Sequence, residues 1–221
     1  MNIVILDGYT LNPGDLSWSD IEKLGKLKVY DRTPAGLTLE RCRDAEAVFT
    51  NKVVLGKNII QQLPKLRFIG VLATGYNVVD VQAAREAGIA VTNIPAYSTP
   101  SVAQMVFAHI LNFTQQVALH SRKVREGLWS GHTDFCFWLT PQTELAGKTL
   151  GLIGFGRIGQ EVAKIGDAFG MNILFYKPSP AKQIPPRYRQ ASLAEVFAES
   201  DFLSINCPLT DENKEFVNAE M

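Results

Sequence analysis

The residues best suited to chemistry form one short stretch, Gly154-Phe155-Gly156-Arg157-Ile158-Gly159, with the spacing G-x-G-x-x-G. Residues 148–153 before it are an apolar run that reads as a buried strand. After it, Ile158, Val162, Ile165 and Phe169 recur at helical spacing, and Gly170 stands where a helix would stop. Strand, glycine turn and helix in that order is the setting a dinucleotide-binding fingerprint needs. Gly154 would make the tight turn, Gly156 would let a pyrophosphate approach the backbone, and Gly159 would let the helix pack on the strand. Arg157 and Ile158 would carry the first free N–H groups of the helix, which favour an anion. A strand-to-helix turn without a ligand is the competing reading.

Further positions bear on the cofactor. Roughly 20 residues past the glycines, NAD-binding chains place an acid that accepts from the ribose hydroxyls. Here that slot is Lys177, which has no acceptor and would instead meet a 2′-phosphate, with Ser179 assisting. This favours NADP over NAD; the alternative is a surface lysine. Cys207 follows an apolar strand and precedes Pro208, so it reads as a small group lining the nicotinamide pocket, not as a nucleophile. The turn at Ala73, Thr74 and Gly75 could aim amides at an anion, or could be an ordinary strand end. His109 and His120 fall on a helix and His132 in an aromatic loop, where they read as surface or interface side chains.

The elements that must hold these residues follow from periodicity. Strand signals at 3–6, 27–30, 47–50, 66–73 and 89–92 alternate with short helical ones at 18–25, 39–43, 55–63 and 80–86. That alternation predicts a parallel sheet covered on both faces, a flavodoxin-like domain over residues 1–98. Pro95 and Pro100 mark a hinge, and Thr99 with Pro100 begins a helix over 100–125 striped by Val102, Val106, Ile110, Phe113 and Val117. Residues 127–146 form a loop rich in aromatics, including Trp129, Phe135, Phe137 and Trp138, which packs on its own domain or reaches a second subunit. Beyond it, strands at 148–153, 172–176 and 202–206 and a helix starting at Asp211 rebuild a doubly wound pattern over 99–221. The fold class expected is α/β, with two doubly wound parallel-sheet domains. Three nucleotide-domain strands are half of the usual six, so the second domain is expected to be incomplete, as a fragment or as a domain completed by a partner.

Bulk properties narrow the function classes. Of 221 residues, 46% are hydrophobic and 20% charged, with 22 basic and 22 acidic side chains. That balance argues against nucleic acid and anionic membranes as partners. No apolar run reaches the ~18 residues of a membrane span, and the N-terminus has no basic lead of a signal peptide. Three scattered cysteines without metal spacing suit a reducing, cytoplasmic setting.

The segment 145–160, together with Ala168-Phe169-Gly170-Met171, resembles the D-isomer-specific 2-hydroxyacid dehydrogenases. Gly75-Tyr76-Asn77-Val78-Val79-Asp80 is similar to that family's substrate-loop segment, Ser98-Thr99-Pro100-Ser101-Val102-Ala103-Gln104 to its hinge-helix start, and Asn206-Cys207-Pro208-Leu209-Thr210 to the stretch after its third nucleotide-domain strand. Gln104 departs from the family's usual Glu. Within the family, the glycerate dehydrogenase or hydroxypyruvate reductase branch is the most similar. The resemblance implies a substrate domain at 1–98 and a Rossmann nucleotide domain, first half only, at 99–221. It implies NAD- or NADP-linked interconversion of a small D-2-hydroxy acid and its 2-keto acid in an interdomain cleft, by a homodimer. The amides of Ala73, Thr74 and Gly75 would take the substrate carboxylate, and Cys207, Pro208, Asn213 and Val102 would join the glycines and Lys177 around the cofactor. The family's Arg, acidic residue and His fall outside these residues, so no catalytic residue is assigned and the chain alone is expected to be inactive. A nucleotide-sensing, corepressor-like binding protein on the same fold is the alternative.

Overall fold

A computed structural model of the chain describes residues 1–218. The backbone divides into two units, Met1–Tyr97 and Ser98–Met221.

In the first unit, strands β1 (Asn2–Ile5), β2 (Lys26–Val29), β3 (Ala47–Thr50), β4 (Phe68–Val71) and β5 (Ala90–Thr92) alternate with helices α1 (Ser19–Glu22), α2 (Thr38–Cys42), α3 (Lys57–Ile60) and α4 (Val81–Glu86). The sheet has the order β2-β1-β3-β4-β5, and every pairing is parallel. This is the flavodoxin-like order, in which the strand order reverses between β1 and β3. Ile3, Ile5, Val48, Ile69 and Val71 are buried because helices cover both faces. The helices are shorter than periodicity suggested: α1 and α3 are single turns within the expected 18–25 and 55–63. Asp80 caps α4 as its position implied, its carboxylate accepting from Ala83 N–H at 2.9 Å.

In the second unit, α5 (Thr99–Gln115) and α6 (Val117–Arg125) precede β6 (Thr149–Ile153), α7 (Arg157–Ala168), β7 (Asn172–Tyr176), β8 (Arg189–Gln190), α8 (Leu193–Glu199) and β9 (Phe202–Ile205). Its sheet runs β8-β7-β6-β9, again all parallel. Leu150, Leu152, Phe175, Val162 and Ala163 form its core with Ala103, Phe107 and Ile110 of α5.

Four expectations are corrected here. The single helix over 100–125 is two helices, broken at Gln116, whose φ of 46° puts it in the left-handed region. The stripe chosen for it is not the buried one: Ala103, Phe107, Ile110 and Thr114 face the core, while Phe113 and Val117 are exposed. Residues 202–206 give a strand as expected, but a short fourth strand, β8, had no periodic signal in its two residues. The helix expected from Asp211 is a single 3-10 turn, Asp211–Asn213, among the described residues, and positions 219–221 lie outside them.

Candidate functional site

The glycine turn is built by close approach. Gly154 leaves β6 with φ +95°, and a Cβ there would lie 2.7 Å from the Cys207 nitrogen. Its own N–H donates to the Tyr176 carbonyl at 3.0 Å, tying the turn to the end of β7. A Cβ on Gly159 would lie 2.2 Å from the Gly154 oxygen, so only glycine lets α7 start this near the strand. Gly156 differs, because a Cβ there would meet nothing within 4 Å. Its surface is open space that a ligand could fill.

No side chain caps α7. The first N–H at its start with a backbone acceptor is that of Gln160, which donates to the Gly156 carbonyl at 2.9 Å. The amides of Arg157, Ile158 and Gly159 are therefore left with the positive end of the helix dipole and no acceptor among the described residues. Helix α8 is the contrast: Ser192 and Glu195 form a complete capping box.

A cavity of about 490 Å³ lies against this open helix start. Gly154, Gly156, Lys177, Cys207, Pro208 and Asn213 all line it. Phe155, Tyr176, Leu193 and Glu212, which sequence reasoning did not single out, line it too. Phe155 could not be read from the motif, since it occupies a variable position; its ring is buried and stacks on Phe175 at 3.8 Å. The Asn213 amide is engaged in its own loop, donating to the Pro208 carbonyl at 2.8 Å and accepting from Thr210 N–H at 2.8 Å. Asn213 thus shapes the wall through the Cys207–Pro208 turn. Arg157 is exposed and has no ion pair among the described residues. Ile158 packs against the core, Gly159 is buried, and Val102 is half-buried on α5; none of the three lines the cavity.

A smaller cavity of about 260 Å³ shares Phe155 and Lys177 with the first. Gln160, Lys164, Lys182, Gln183 and Tyr188 are among its other lining residues. The loop around it is held by Gln190 of β8. That side chain donates to the carbonyls of Lys177 and Ser179 at 3.0 and 3.1 Å and accepts from Ala181 N–H at 2.9 Å. Ser179 lines neither cavity.

In the first unit, Ala73, Thr74 and Gly75 follow β4 at the carboxyl end of the sheet. The Thr74 carbonyl accepts from the Asn93 side chain at 2.8 Å, the Thr74 hydroxyl donates to the Ile94 carbonyl at 3.1 Å, and Ile94 N–H donates to the Ala73 carbonyl at 3.1 Å. The Ala73 and Thr74 carbonyls and the Thr74 hydroxyl are thus satisfied, while among the described residues no acceptor meets the three N–H groups. Thr74 and Gly75 are exposed, while Ala73 is buried beneath them.

The histidines stay outside both arrangements. His120 has Nδ1 on the Gln116 carbonyl at 3.0 Å, and its Nε2 accepts from Leu139 N–H at 3.2 Å, which fixes the aromatic loop on α6. His132 Nδ1 accepts from Asp134 N–H, and His109 is exposed on α5. Among the described residues no His, Cys, Asp or Glu group could hold a metal, and no helix is long and apolar enough to cross a membrane.

A parallel sheet feeding an uncapped glycine turn, with a cavity at its carboxyl end, defines a dinucleotide-binding unit by fold. Residues 107–221 match the NAD binding domain of D-isomer specific 2-hydroxyacid dehydrogenase. The chain is 46% identical over 227 residues to a hydroxypyruvate reductase of Blautia hydrogenotrophica, covering all of this chain and 70% of that protein. Its fold matches D-lactate dehydrogenase from Aquifex aeolicus complexed with NAD and lactic acid, with a TM-score of 0.78 and 28% identity, over 96% of this chain and 62% of that one. It also matches an acyclic imino acid reductase in complex with NADPH and D-Arg, with a TM-score of 0.77 and 27% identity, over 96% and 67%. The chain belongs to the D-isomer specific 2-hydroxyacid dehydrogenase family. It spans about two thirds of the length of the proteins it matches.

Proposed function

We propose that this chain provides the cofactor cradle and the carboxylate turn of an oxidoreductase interconverting a small D-2-hydroxy acid and its 2-keto acid, hydroxypyruvate and glyoxylate being the keto acids favoured. The observation that carries the reading is the open start of α7, with free amides and an unobstructed Gly156 beside the cavity. When bound, the nicotinamide supplies the hydride. The chain's own residues do the holding: Gly154, Gly156 and the first amides of α7 take the pyrophosphate, and Cys207 and Pro208 wall the cavity. The free amides of Ala73, Thr74 and Gly75 orient the substrate carboxylate. Lys177 at the end of β7 offers a donor where NAD would need an acceptor, which favours NADP.

Calorimetry with NADPH and NADH tests the cradle, with NADPH expected to bind more tightly. Gly159→Ala pushes a methyl onto the Gly154 carbonyl and is expected to weaken both by at least about tenfold. Wild-type-like binding in that variant rejects the cradle. Absorbance at 340 nm with hydroxypyruvate or glyoxylate tests the chemistry.

Three free cysteines suit a cytoplasmic setting. A homodimer is supported by the exposed apolar side chains of the second unit, among them Phe113 at 75%, Phe135 at 90% and Trp138 at 71%.

A further inference from the structure

We infer that the first unit carries a binding site for a small phosphate monoester, in the cavity where the loops after β1, β2 and β3 meet, with Arg32 and Lys52 as its cationic arms. The inference goes beyond the dinucleotide reading and does not depend on it. The cavity measures about 520 Å³, within the range that small organic ligands occupy. Asp7 after β1, Arg32 after β2 and Lys52 after β3 line it, at the carboxyl end of the sheet. The strand order reverses between β1 and β3, and in open parallel sheets ligands settle outside the strand ends at such a reversal. Ala73, Thr74 and Gly75 follow β4 and are not among its lining residues.

The chemistry of the lining asks for an anion. Arg32 and Lys52 have no ionic partner among the described residues. Asp7 is the one acid that lines the cavity, and its carboxylate is turned to the N–H groups of Asn51, Lys52 and Val53. Two cations beside a single committed acid suit a dianion, and a phosphate monoester carries roughly −1.5 to −2 charges at neutral pH. Arg32 offers a planar fork that matches phosphate oxygens, and Lys52 a point charge. Thr38 lines the same cavity at only 2% exposed, and its hydroxyl has no hydrogen-bond partner among the described residues. A polar group buried that deeply is destabilising unless something bonds it. A hydroxyl on the carbon body of the ligand would do so. Val53, Val54 and Ile59 give that short body an apolar wall.

Both arms stand on ordered backbone. Arg41 donates to the Arg32 carbonyl and to the Thr33 hydroxyl, each at 2.7 Å, and the Arg32 guanidinium lies 4.8 Å from the centroid of the Tyr9 ring. The N–H of Lys52 is one of the three that Asp7 holds. Less ordering is therefore left for the ligand to impose.

The test is calorimetry on the whole chain with glycerol 3-phosphate, set against glycerol, inorganic phosphate and 3-hydroxybutyrate, a carboxylate of similar length. Glycerol 3-phosphate is expected to bind at least about tenfold more tightly than each of the other three, an advantage that falls as salt rises. Arg32 and Lys52 are exposed, so Arg32→Gln and Lys52→Gln should keep the wild-type urea midpoint. Each is expected to weaken glycerol 3-phosphate by about tenfold or more, and Thr38→Val by about fivefold. Absence of binding by the wild type overturns the inference, as does equal binding of any of the three comparison compounds. So does binding that is indifferent to salt, or that survives both cationic variants. Binding lost in Gly159→Ala and kept in Arg32→Gln would seat the phosphate at the glycine turn, which overturns this site and leaves the dinucleotide reading intact.

Discussion

Asp7 follows β1 with its carboxylate buried, 3% exposed, and accepts from the N–H groups of Asn51, Lys52 and Val53. One side chain thus holds the whole loop after β3. Asp7→Ala leaves those donors without an acceptor and is expected to lower stability by about 3 kcal/mol, read as a shift of the urea midpoint. The sequence shows only an acid ending an apolar run; its partners lie 44 to 46 positions away, beyond any local pattern. Cys42 gives a second residue-scale prediction. Burial pushes its thiol up from the ordinary 9.0 to about 12. The folded value lies above the unfolded one, so the stabilisation is complete below pH 9.0 and is lost as pH rises toward about 12. Between about pH 8 and about pH 10, the wild type should lose about 1 kcal/mol more than Cys42→Ala does. Matching pH slopes in urea titrations would refute this.

Among the elements, α5 decides most. Two sets of residues repeat at helical spacing along α5 and into the start of α6. Val102, Val106, Ile110, Phe113 and Val117 make one stripe, and Ala103, Phe107, Ile110 and Thr114 make the other. They share Ile110, so periodicity alone cannot choose between them. The structure chooses the second: Ala103, Phe107 and Ile110 are buried in the core with Val162 and Ala163 of α7. Phe107 also stacks on Phe169 at 5.4 Å. Phe107→Ala is expected to cost about 3–5 kcal/mol, and Phe113→Ala no more than about 0.5 kcal/mol in the monomer, by chemical denaturation. Reversed magnitudes would restore the stripe the sequence suggested. The cap of α8, by contrast, was legible, since Ser192 followed by Glu195 is a local signature. Removing it with Ser192→Ala should cost about 1 kcal/mol.

At the scale of the molecule, each unit has a core of its own, one centred on Val48 and Ile69, the other on Leu152 and Phe175. Exposed Phe113 of α5 is followed by exposed Val117 at the start of α6, which lines a groove with Val124, Phe137 and Trp138. Sedimentation should therefore give a dimer, and Val117→Asp with Trp138→Ser should give a folded monomer. A monomeric wild type would rule out an interface at that groove. By itself the sequence determined the alternation of strands and helices and the glycine turn, because both are written in neighbouring residues. It also placed Lys177 directly after the strand that ends at Tyr176. Only the tertiary structure decided which face of α5 is buried, that Asp7 holds the loop after β3, and that Lys164, Lys177 and Lys182 line one cavity. Those outcomes depend on side chains that the two sheets bring together from distant positions, and no local spacing encodes such distances.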